Sequence, residues 1–581
     1  MTTPRCIDPE EIIPISRSTT EVFKTGTWGS RRPEQREKIS PCRSACPAGN
    51  PIPRALYRAA QRDFDGALSA FLEENPLPGV CGSVCYHPCQ VDCNRDQWDG
   101  AVHIKALERA ASEWGRAEPT VLTDAGCDHP VAVIGSGPAG LSAAYHLARM
   151  GHPVTVFESE DELGGLLRWG IPLYRLPQHV LERDLARILS LGIGVHTGTR
   201  IEGARATELR QTYDAVFIAA GAERSQSLNI PGIELNGVCL GLDFLKEVRR
   251  GRVGAMRGKV VVIGGGNVAV DAALSARRLG ADQVELICLE QRDEMPAHER
   301  EREEALEEAI ALHNGWGPKG ILEEDGRAVG VEFIKCTAVF DRKGRFRPSY
   351  DEGTVMKRDA DWVILAIGQT GELSFLKGSG LFDQAIESTL FVTPQTLETR
   401  VQGVFAGGDV VQMPGSVVES VAAGKRAALA IHLNLKGVPF RDAEEKVRFG
   451  LGTSFSIDAL FHPPSDWDPM SAVRFEDLEP LFLDQRPPAT LPRVDAARRV
   501  RNFQEIIQSL DEDVASQEAA RCFFCGTCTG CDRCYLYCPE ISITPPPAGL
   551  VTYKADSDYC KGCAVCAAVC PSGVMSMSEG R

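Results

Sequence analysis

Twice in this chain an apolar run leads at once into a glycine-spaced turn and a helix-forming stretch. The first instance is HPVAVIGSGPAGLSAAYHLARMGHPVTVFESEDELGG and the second is GKVVVIGGGNVAVDAALSARRLGADQVELICLEQRDEMPA. Few patterns constrain a fold more, because strand, tight turn, helix and second strand close as a βαβ unit of a parallel sheet. In the first, 131–134 reads as a buried strand, and Gly135, Gly137 and Gly140 follow in GxGxxG spacing. Gly135 makes the turn, Gly137 lets the backbone approach a pyrophosphate, and Gly140 lets the helix pack on the strand. The helix, 138–150, opens with Ala139 in its first turn, where unpaired N–H groups face phosphate. The next strand ends on Glu158, placed to accept hydrogen bonds from ribose hydroxyls. In the second instance 260–263 is the strand, and Gly264, Gly266 and Ala269 take the three small positions. A helix carries Asp271 to Leu279; Asn267 and Val268 ahead of it are further cofactor-binding candidates, and Glu290 ends the following strand. Two such modules predict two dinucleotides, the way a flavin and a nicotinamide are brought together.

At 581 residues, with 43% hydrophobic and 24% charged composition, the chain predicts several globular domains. The net charge of −16 argues against a general nucleic-acid binder, which needs a basic face. Neither a membrane span nor a secretory signal is read from the sequence, so the expected location is cytoplasmic and no membrane partner is expected.

The 21 cysteines are unevenly placed: six in 42–93, ten in 522–570, and Cys6, Cys127, Cys239, Cys288 and Cys336 elsewhere. A disulfide scaffold is short and secreted, whereas clustered thiols at short spacing read as metal or cluster ligands. At the C-terminal end, Cys528-x2-Cys531-x2-Cys534-x3-Cys538-Pro539 recurs as Cys560-x2-Cys563-x2-Cys566-x3-Cys570-Pro571. This is the bacterial ferredoxin run, in which the fourth cysteine of each set ligates the other cluster. Cys528, Cys531, Cys534 and Cys570 are therefore assigned to one 4Fe–4S centre, and Cys538, Cys560, Cys563 and Cys566 to the second. Cys522 and Cys525 are left over, spare or part of an alternative register. Near the N-terminus, Cys42 and Cys46 are four apart, and Cys81, Cys85, Cys89 and Cys93 repeat that spacing across a helical stretch. C-x3-C throughout, rather than C-x2-C, favours a cluster over structural zinc. Between 440 and 515, proline-rich stretches read as linker, followed by one or two helices delivering the ferredoxin module.

VAVIGSGPAGLSAAYHLARMGHPVTVFE, GGLLRWGIPLYRLP, VVVIGGGNVAVDAA, EMPAHERE and GVFAGGDVV together resemble the glutamate synthase small-subunit family, which includes the N-terminal half of dihydropyrimidine dehydrogenase. The resemblance covers about residues 38 to 435. It implies an FAD domain interrupted by an inserted pyridine-nucleotide domain, with FAD on 135–140, Glu158 and the Gly164, Gly165 turn. GIPLYRLP, carrying Arg175, would lie near the flavin ring, and Asp409 would face the ribityl–pyrophosphate portion. Members using NADPH usually carry two arginines at the positions of Leu289 and Glu290, where they clamp the 2′-phosphate. Glu290 would repel that phosphate and bond a free 2′-hydroxyl, with only Arg292 nearby, so NAD(H) is expected over NADP(H). In the family the N-terminal cysteines bind two 4Fe–4S clusters. Cys46, Cys85, Cys89 and Glu108 match one of these, and Cys42 and Cys93 match half of the other. The family's two earlier cysteines are absent; Cys81 could substitute for one, and one or two N-terminal clusters are both compatible with the sequence.

The expected fold is multidomain α/β. It comprises an N-terminal helical iron–sulfur domain (1–128), an FAD domain (129–256 and 371–440) and an inserted NAD(H) domain (257–370). A linker with helices (441–515) and an α+β ferredoxin-like domain (516–581) complete it. The expected function is electron transfer between NAD(H) and a protein partner through FAD and 4Fe–4S clusters, with hydride transfer at FAD and no catalytic side chain. A disulfide reductase is disfavoured because GGLLRWGIPLYRLP has no cysteine. The alternative is a glutamate synthase small subunit serving a glutaminase-containing large subunit. Similar tailed flavoproteins accompany 2-oxoacid:ferredoxin oxidoreductases, sulfite reductase and anaerobic aromatic degradation. A ferredoxin or such a redox enzyme is the expected partner, and a homodimer is left open.

Overall fold

Both glycine turns lie at the carboxyl ends of parallel strands. The computed structural model describes residues 24–122, 127–376, 385–386, 389–411, 415–450, 454–463, 467–547 and 552–579, together with Val22 and Gly452. Cys6 lies outside these. The chain forms two units, one of residues 41–464 with 485–522, the other of 1–40, 465–484 and 523–581.

In the larger unit, one five-stranded parallel sheet has the spatial order Val404–Ala406, Ala215–Ile218, Val131–Ile134, Val154–Phe157, Gly194–His196. Its central strand is buried at all four residues, as a doubly covered parallel strand requires. The second sheet runs Ala311–Asn314, Gln283–Cys288, Lys259–Ile263, Trp362–Leu365, Val238–Leu240, again all parallel. Its edge strand Val238–Leu240 comes before residue 257, so this sheet draws on chain ahead of the expected insert. The strands Trp316–Glu324, Arg327–Phe340 and Phe346–Asp359 add an antiparallel sheet to the insert. The two crossings between the nucleotide domains pair as a ribbon, Gln369↔Ser225 and Thr370↔Arg224.

Two long helices set the first glycine turn. Pro138–Arg149 packs on Val417–Leu435, which opens with a capping box: Glu419 N donates to Ser416 Oγ (3.3 Å) and Ser416 N to Glu419 Oε2 (2.8 Å). Gly424 permits the approach, since a Cβ there would collide with the Ala139 carbonyl. The N-terminal part is a helical layer that includes Ile52–Ala60, Phe64–Leu72, Pro78–Val84 and Ile104–Trp114. Of the two helices in the returning segment, Ala496–Arg499 and Glu512–Ala519, the latter packs on Ile52–Ala60 and Ile104–Trp114.

In the smaller unit the two cysteine runs form matching short helices, Arg533–Leu536 and Val565–Ala568. Each is entered through a left-handed residue, Asp532 (φ 60°) and Ala564 (φ 66°). Strand Arg31–Gln35 pairs antiparallel with Met575–Glu579, and Glu37–Ile39 pairs parallel with Trp467–Ala472. The N-terminal strands therefore belong to the ferredoxin-like unit. No helix among the described residues is long and apolar enough to cross a membrane.

Candidate functional site

The three glycines of the first turn occupy three different environments. Gly135 has φ 100° and lies against the Ala219 carbonyl; a Cβ on Gly140 would collide with the Gly135 carbonyl, so helix and strand touch there. Gly137 has nothing within 4 Å of its would-be Cβ, because it faces a cleft of about 680 Å³. An open glycine before a helix N-terminus is a cradle that a pyrophosphate fills and a side chain would block. Glu158, 3% exposed, lines this cleft with both oxygens engaged. Oε2 accepts from Ser136 N (2.9 Å) and Ser136 Oγ (2.5 Å), and Oε1 accepts from Glu160 N (2.9 Å). Ser136 Oγ in turn accepts from Gly164 N (2.9 Å), which ties the Gly164, Gly165 turn to the first. Sequence reasoning missed Ser136, whose position inside GxGxxG is variable by type.

Asp409 projects into the same cleft from the loop after Val404–Ala406. Its Oδ1 is buried and has no hydrogen-bond partner, and burial, with the Glu419 charge behind it, pushes its carboxyl up to about 6. An orphaned buried acceptor beside a nucleotide cradle suits a ligand hydroxyl. The cleft's size, its open glycine and this acceptor together fit FAD.

The second turn repeats the first. Gly264 (φ 143°) lies against the Ala366 carbonyl, Gly266 has open space above it, and Ala269 is fully buried beneath. The Glu290 carboxylate folds over this turn, its Oε2 only 2.6 Å from a would-be Cβ on Gly265. The Glu290 backbone is fixed, its carbonyl accepting from Gly315 N (3.1 Å) and Asn314 Nδ2 (3.1 Å). The 295–297 segment docks on the same turn, Ala297 N donating to Gly265 O (3.0 Å). Arg292 is exposed. Arg175 is half-buried and pairs with Asp271 of the second nucleotide helix and with Glu304 (2.9 Å), while Tyr174 Oη donates to Asp271 (3.1 Å). This loop thus braces the second nucleotide domain, and desolvated acids hold the Arg175 guanidinium firmly charged.

A second cavity, about 690 Å³, begins at Asn267 and Val268 and is bounded across from them by Cys85, Tyr86 and Lys105. It shares Leu166, Ile171, Gln369, Gly415, Ser416 and Val417 with the first cleft, so the two cavities meet at these residues.

Behind Cys85 lies the N-terminal nest. Gly82 lets helix Pro78–Val84 rest on Ile104–Trp114, an added Cβ reaching Arg109 Cα at 2.6 Å, and this brings Cys81 and Cys85 to Glu108. Glu108 Oε1 accepts from Asn50 Nδ2 (2.9 Å) and Asn75 Nδ2 (2.8 Å), and burial pushes its carboxyl up to about 8. Burial first, and the Glu108 charge second, raise Cys46 to about 11 and Cys85 to about 12. Cys81 and Cys89 are driven well above the usual thiol range by burial and by neighbours in the same nest. So many buried acidic groups gathered in one nest suit a metal cluster. Asn50 and Asn75 carry no cysteine-like spacing signal and were not legible beforehand.

In the smaller unit, one cavity is lined by Cys528, Cys531, Cys534 and Cys570, and another by Cys538, Cys560, Cys563 and Cys566. These are the two sets the x3-C-P register assigns, with the fourth cysteine crossing over. Burial raises Cys534 to about 12, with Cys570 its strongest charged neighbour. Neither Cys522 nor Cys525 lines either cavity.

Comparison with known proteins agrees with this architecture. Residues 129–424 match the pyridine nucleotide-disulphide oxidoreductase family, 35–120 match dihydropyrimidine dehydrogenase domain II (4Fe-4S cluster), and 527–574 match the 4Fe-4S dicluster domain. The chain is 35% identical, over 84% of its length and 70% of the relative's, to the NADP(+)-dependent formate dehydrogenase subunit beta of Moorella thermoacetica. It is 34% identical, over 87% of its length and 78% of the relative's, to the NADPH-Fe(3+) oxidoreductase subunit beta of Geobacter sulfurreducens. It is 31% identical, over 68% of its length and 92% of the relative's, to the NAD-dependent dihydropyrimidine dehydrogenase subunit PreT of Escherichia coli K12. None of these is named as a glutamate synthase small subunit, and that alternative is not carried further. By matched domains and by these relatives, the chain belongs to the pyridine nucleotide-disulphide oxidoreductase family, as a member with iron–sulfur domains at both ends.

Proposed function

We propose that this chain is the flavin-bearing subunit of a redox enzyme, passing electrons between NAD(H) and a protein partner through FAD and 4Fe–4S clusters. The observation that carries the reading is the pair of clefts that join at Leu166, Ile171, Gln369, Gly415, Ser416 and Val417, one of them reaching the Cys85 side of the N-terminal nest. Bound FAD would supply the exchange between two-electron hydride chemistry and one-electron cluster chemistry. The chain's own residues would hold and orient. Gly137 leaves room for the pyrophosphate, Asp409 accepts from a ribityl hydroxyl, and Ser136 with Glu158 keeps the turn rigid. Cys46, Cys85, Cys89 and Glu108 would hold an N-terminal cluster, and the two C-terminal sets would hold one cluster each.

Glu290 over the second turn supports NAD(H), since a 2′-phosphate would meet a carboxylate there. Two of the relatives carry NADP(+) or NADPH in their names and a third carries NAD, and the reading of NAD(H) for this chain rests on Glu290. The beta-subunit names favour a heteromeric partner, either a ferredoxin or a redox enzyme such as a 2-oxoacid:ferredoxin oxidoreductase or a sulfite reductase. Cys531 and Cys563 are exposed, and Leu536, Tyr537 and Ile541 stand exposed beside Cys538, as an electron-delivery surface requires. Anaerobic reduction of methyl viologen by the reconstituted chain tests the reading. NADH is expected to drive it and to bleach the cluster absorbance, and a chain that binds FAD but leaves both unchanged would refute the proposal.

A further inference from the structure

One buried group of metal-binding side chains lies outside every site described above. Cys127, His152 and His432 are 7%, 3% and 2% exposed, and their ligating atoms all lie within 4.8 Å of one another. His152 Nε2 is 3.0 Å from His432 Nδ1, and Cys127 Sγ is 4.0 Å from the same His432 nitrogen. All three belong to the larger unit. They come from separate segments: Cys127 precedes strand Val131–Ile134, His152 precedes Val154–Phe157, and His432 lies in the last turn of Val417–Leu435. The group therefore sits at the amino ends of the first parallel sheet, whereas the nucleotide cleft opens at the carboxyl ends. None of the three lines that cleft or the cavity beside it.

The backbone fixes these side chains. Gly151 turns the chain out of helix Pro138–Arg149 with φ 93°, and a Cβ on it would touch Cys127 Cβ at 3.4 Å, so this turn and Cys127 pack together. His152 N donates to Leu147 O (3.1 Å), and Val131 N donates to Pro153 O (2.9 Å). His152 Nδ1 faces the His129 carbonyl at 3.3 Å. A carbonyl only accepts, so Nδ1 carries the ring proton and Nε2 turns a lone pair toward His432. A backbone carbonyl holding one ring nitrogen while the other points inward is how histidines are oriented at metal centres. Hydrogen bonding alone does not reconcile the three atoms. If His432 Nδ1–H donates to His152 Nε2, the Cys127 thiol meets an N–H; if the thiol donates to Nδ1, two nitrogen lone pairs oppose one another at 3.0 Å. A cation between them satisfies all three. Tetrahedral zinc, with bonds of about 2.0 Å to nitrogen and about 2.3 Å to sulfur, sets such atoms about 3.3–3.6 Å apart. The distances of 3.0 and 4.0 Å bracket that range.

We propose that Cys127, His152 and His432 bind one zinc ion, which ties the chain entering the first nucleotide domain to that domain's last helix. Thiolate and imidazole are donors zinc takes, and one thiol with two imidazoles offers no oxygen to magnesium or calcium. Binding displaces the Cys127 thiol proton to solvent, so a thiolate and a divalent ion meet as charge and counter-charge in a buried place. A water takes the fourth position. Helix Val417–Leu435 is pinned by this ion at its far end, while its first residue lies where the two cavities meet. Zinc has no redox chemistry, so the ion stays out of the electron path and its presence does not depend on the proposed function.

The test uses the full-length protein, purified anaerobically, reconstituted with iron, sulfide and FAD, and dialysed against buffered free zinc. Elemental analysis is expected to give about one zinc per chain. X-ray absorption at the zinc edge is expected to show one sulfur at about 2.3 Å and two imidazole nitrogens at about 2.0–2.1 Å. Loss of an outer hydrogen-bond partner already costs a metal site about 10–100-fold in affinity. Cys127→Ser and His432→Gln remove ligands, and each is expected to weaken zinc binding by more than about a hundredfold, with iron and FAD content unchanged. Zinc retained at full stoichiometry in both variants would overturn the proposal, since it would then sit elsewhere, on cluster cysteines for example. Should a variant not fold, the wild-type protein decides: zinc absent after dialysis, or an edge spectrum with sulfur ligands alone, would overturn the proposal as well.

Discussion

Glu290→Gln isolates the nucleotide preference. The side chain lies over the Gly264–Gly266 turn while its backbone is held by Gly315 and Asn314, so the substitution changes charge and leaves the strand end in place. A 2′-phosphate bound there would sit about 4–5 Å from the carboxylate, where each pair of unit charges costs about 3–4 kcal/mol at an effective dielectric near 20. Glu290 is half-buried and salt screens the pair, which reduces the penalty to about 1–2 kcal/mol, a factor of roughly 5 to 30. For NADH, the glutamine keeps a neutral acceptor in place of a charged one and loses about 1 kcal/mol, roughly fivefold. The ratio of kcat/KM for NADPH over NADH is therefore expected to rise roughly 25- to 150-fold. The assay is anaerobic viologen reduction with each nucleotide at low and high salt, the wild-type preference for NADH narrowing as salt rises. A wild-type enzyme that prefers NADPH, or a ratio that Glu290→Gln leaves unmoved, would refute the reasoning.

Two glycines of the first turn separate binding from folding. Gly137→Val is expected to fold with its melting temperature nearly unchanged but to purify without flavin, whereas Gly140→Val overpacks a closed contact and should lose about 1–3 kcal/mol or more. Equal melting temperatures for the two variants would count against the assignment of roles. Asp409 has its carboxyl raised to about 6 by burial, and a ribityl hydroxyl donating to Oδ1 favours the charged form. FAD affinity should thus fall as pH drops through about 6, by up to tenfold per pH unit, with Asp409→Asn flattening the titration measured by flavin fluorescence. Lys425 Nζ pairs with Glu74 at 2.6 Å and donates to the Ala48 and Phe455 carbonyls, all of it buried. Lys425→Met strands the Glu74 charge and should cost about 3–5 kcal/mol in denaturant unfolding, with partial recovery in the Lys425→Met/Glu74→Gln double variant.

What was legible in the sequence is what backbone geometry or ligand spacing dictates locally. Gly135, Gly140 and Gly264 could be assigned because no other residue fits a turn packed against a carbonyl. The C-terminal sets could be assigned because the x3-C-P step breaks an otherwise uniform repeat. What was not legible depends on contacts remote in sequence. Arg31–Gln35 reads as a polar stretch, and only its pairing with Met575–Glu579 makes it a strand of the ferredoxin-like unit. Val238–Leu240 is too short to show a period, yet it closes the edge of the second sheet. Arg175 was expected near a flavin ring; it lines the cavity that meets the first cleft, and its pairing with Asp271 and Glu304 of the second nucleotide domain carries no signal in the sequence. Asn50 and Asn75 meet Glu108 from separate segments, a convergence with no one-dimensional signature.

The insertion of one nucleotide domain within the other is itself a positioning device. A domain appended through a single linker swings about that linker, but an insert is joined by two crossings. Here the crossings pair with one another, Gln369 with Ser225 and Thr370 with Arg224, and Gln226 N donates to Gly368 O at 3.0 Å. The ribbon lies where the clefts join, since Gln369 lines both. An insert turning about this ribbon would pivot close to the place where the two clefts join, and a rotation opening the outer cleft would displace that place least. In the proposed function, the same insertion would keep flavin and nicotinamide in register while the nucleotide enters and leaves.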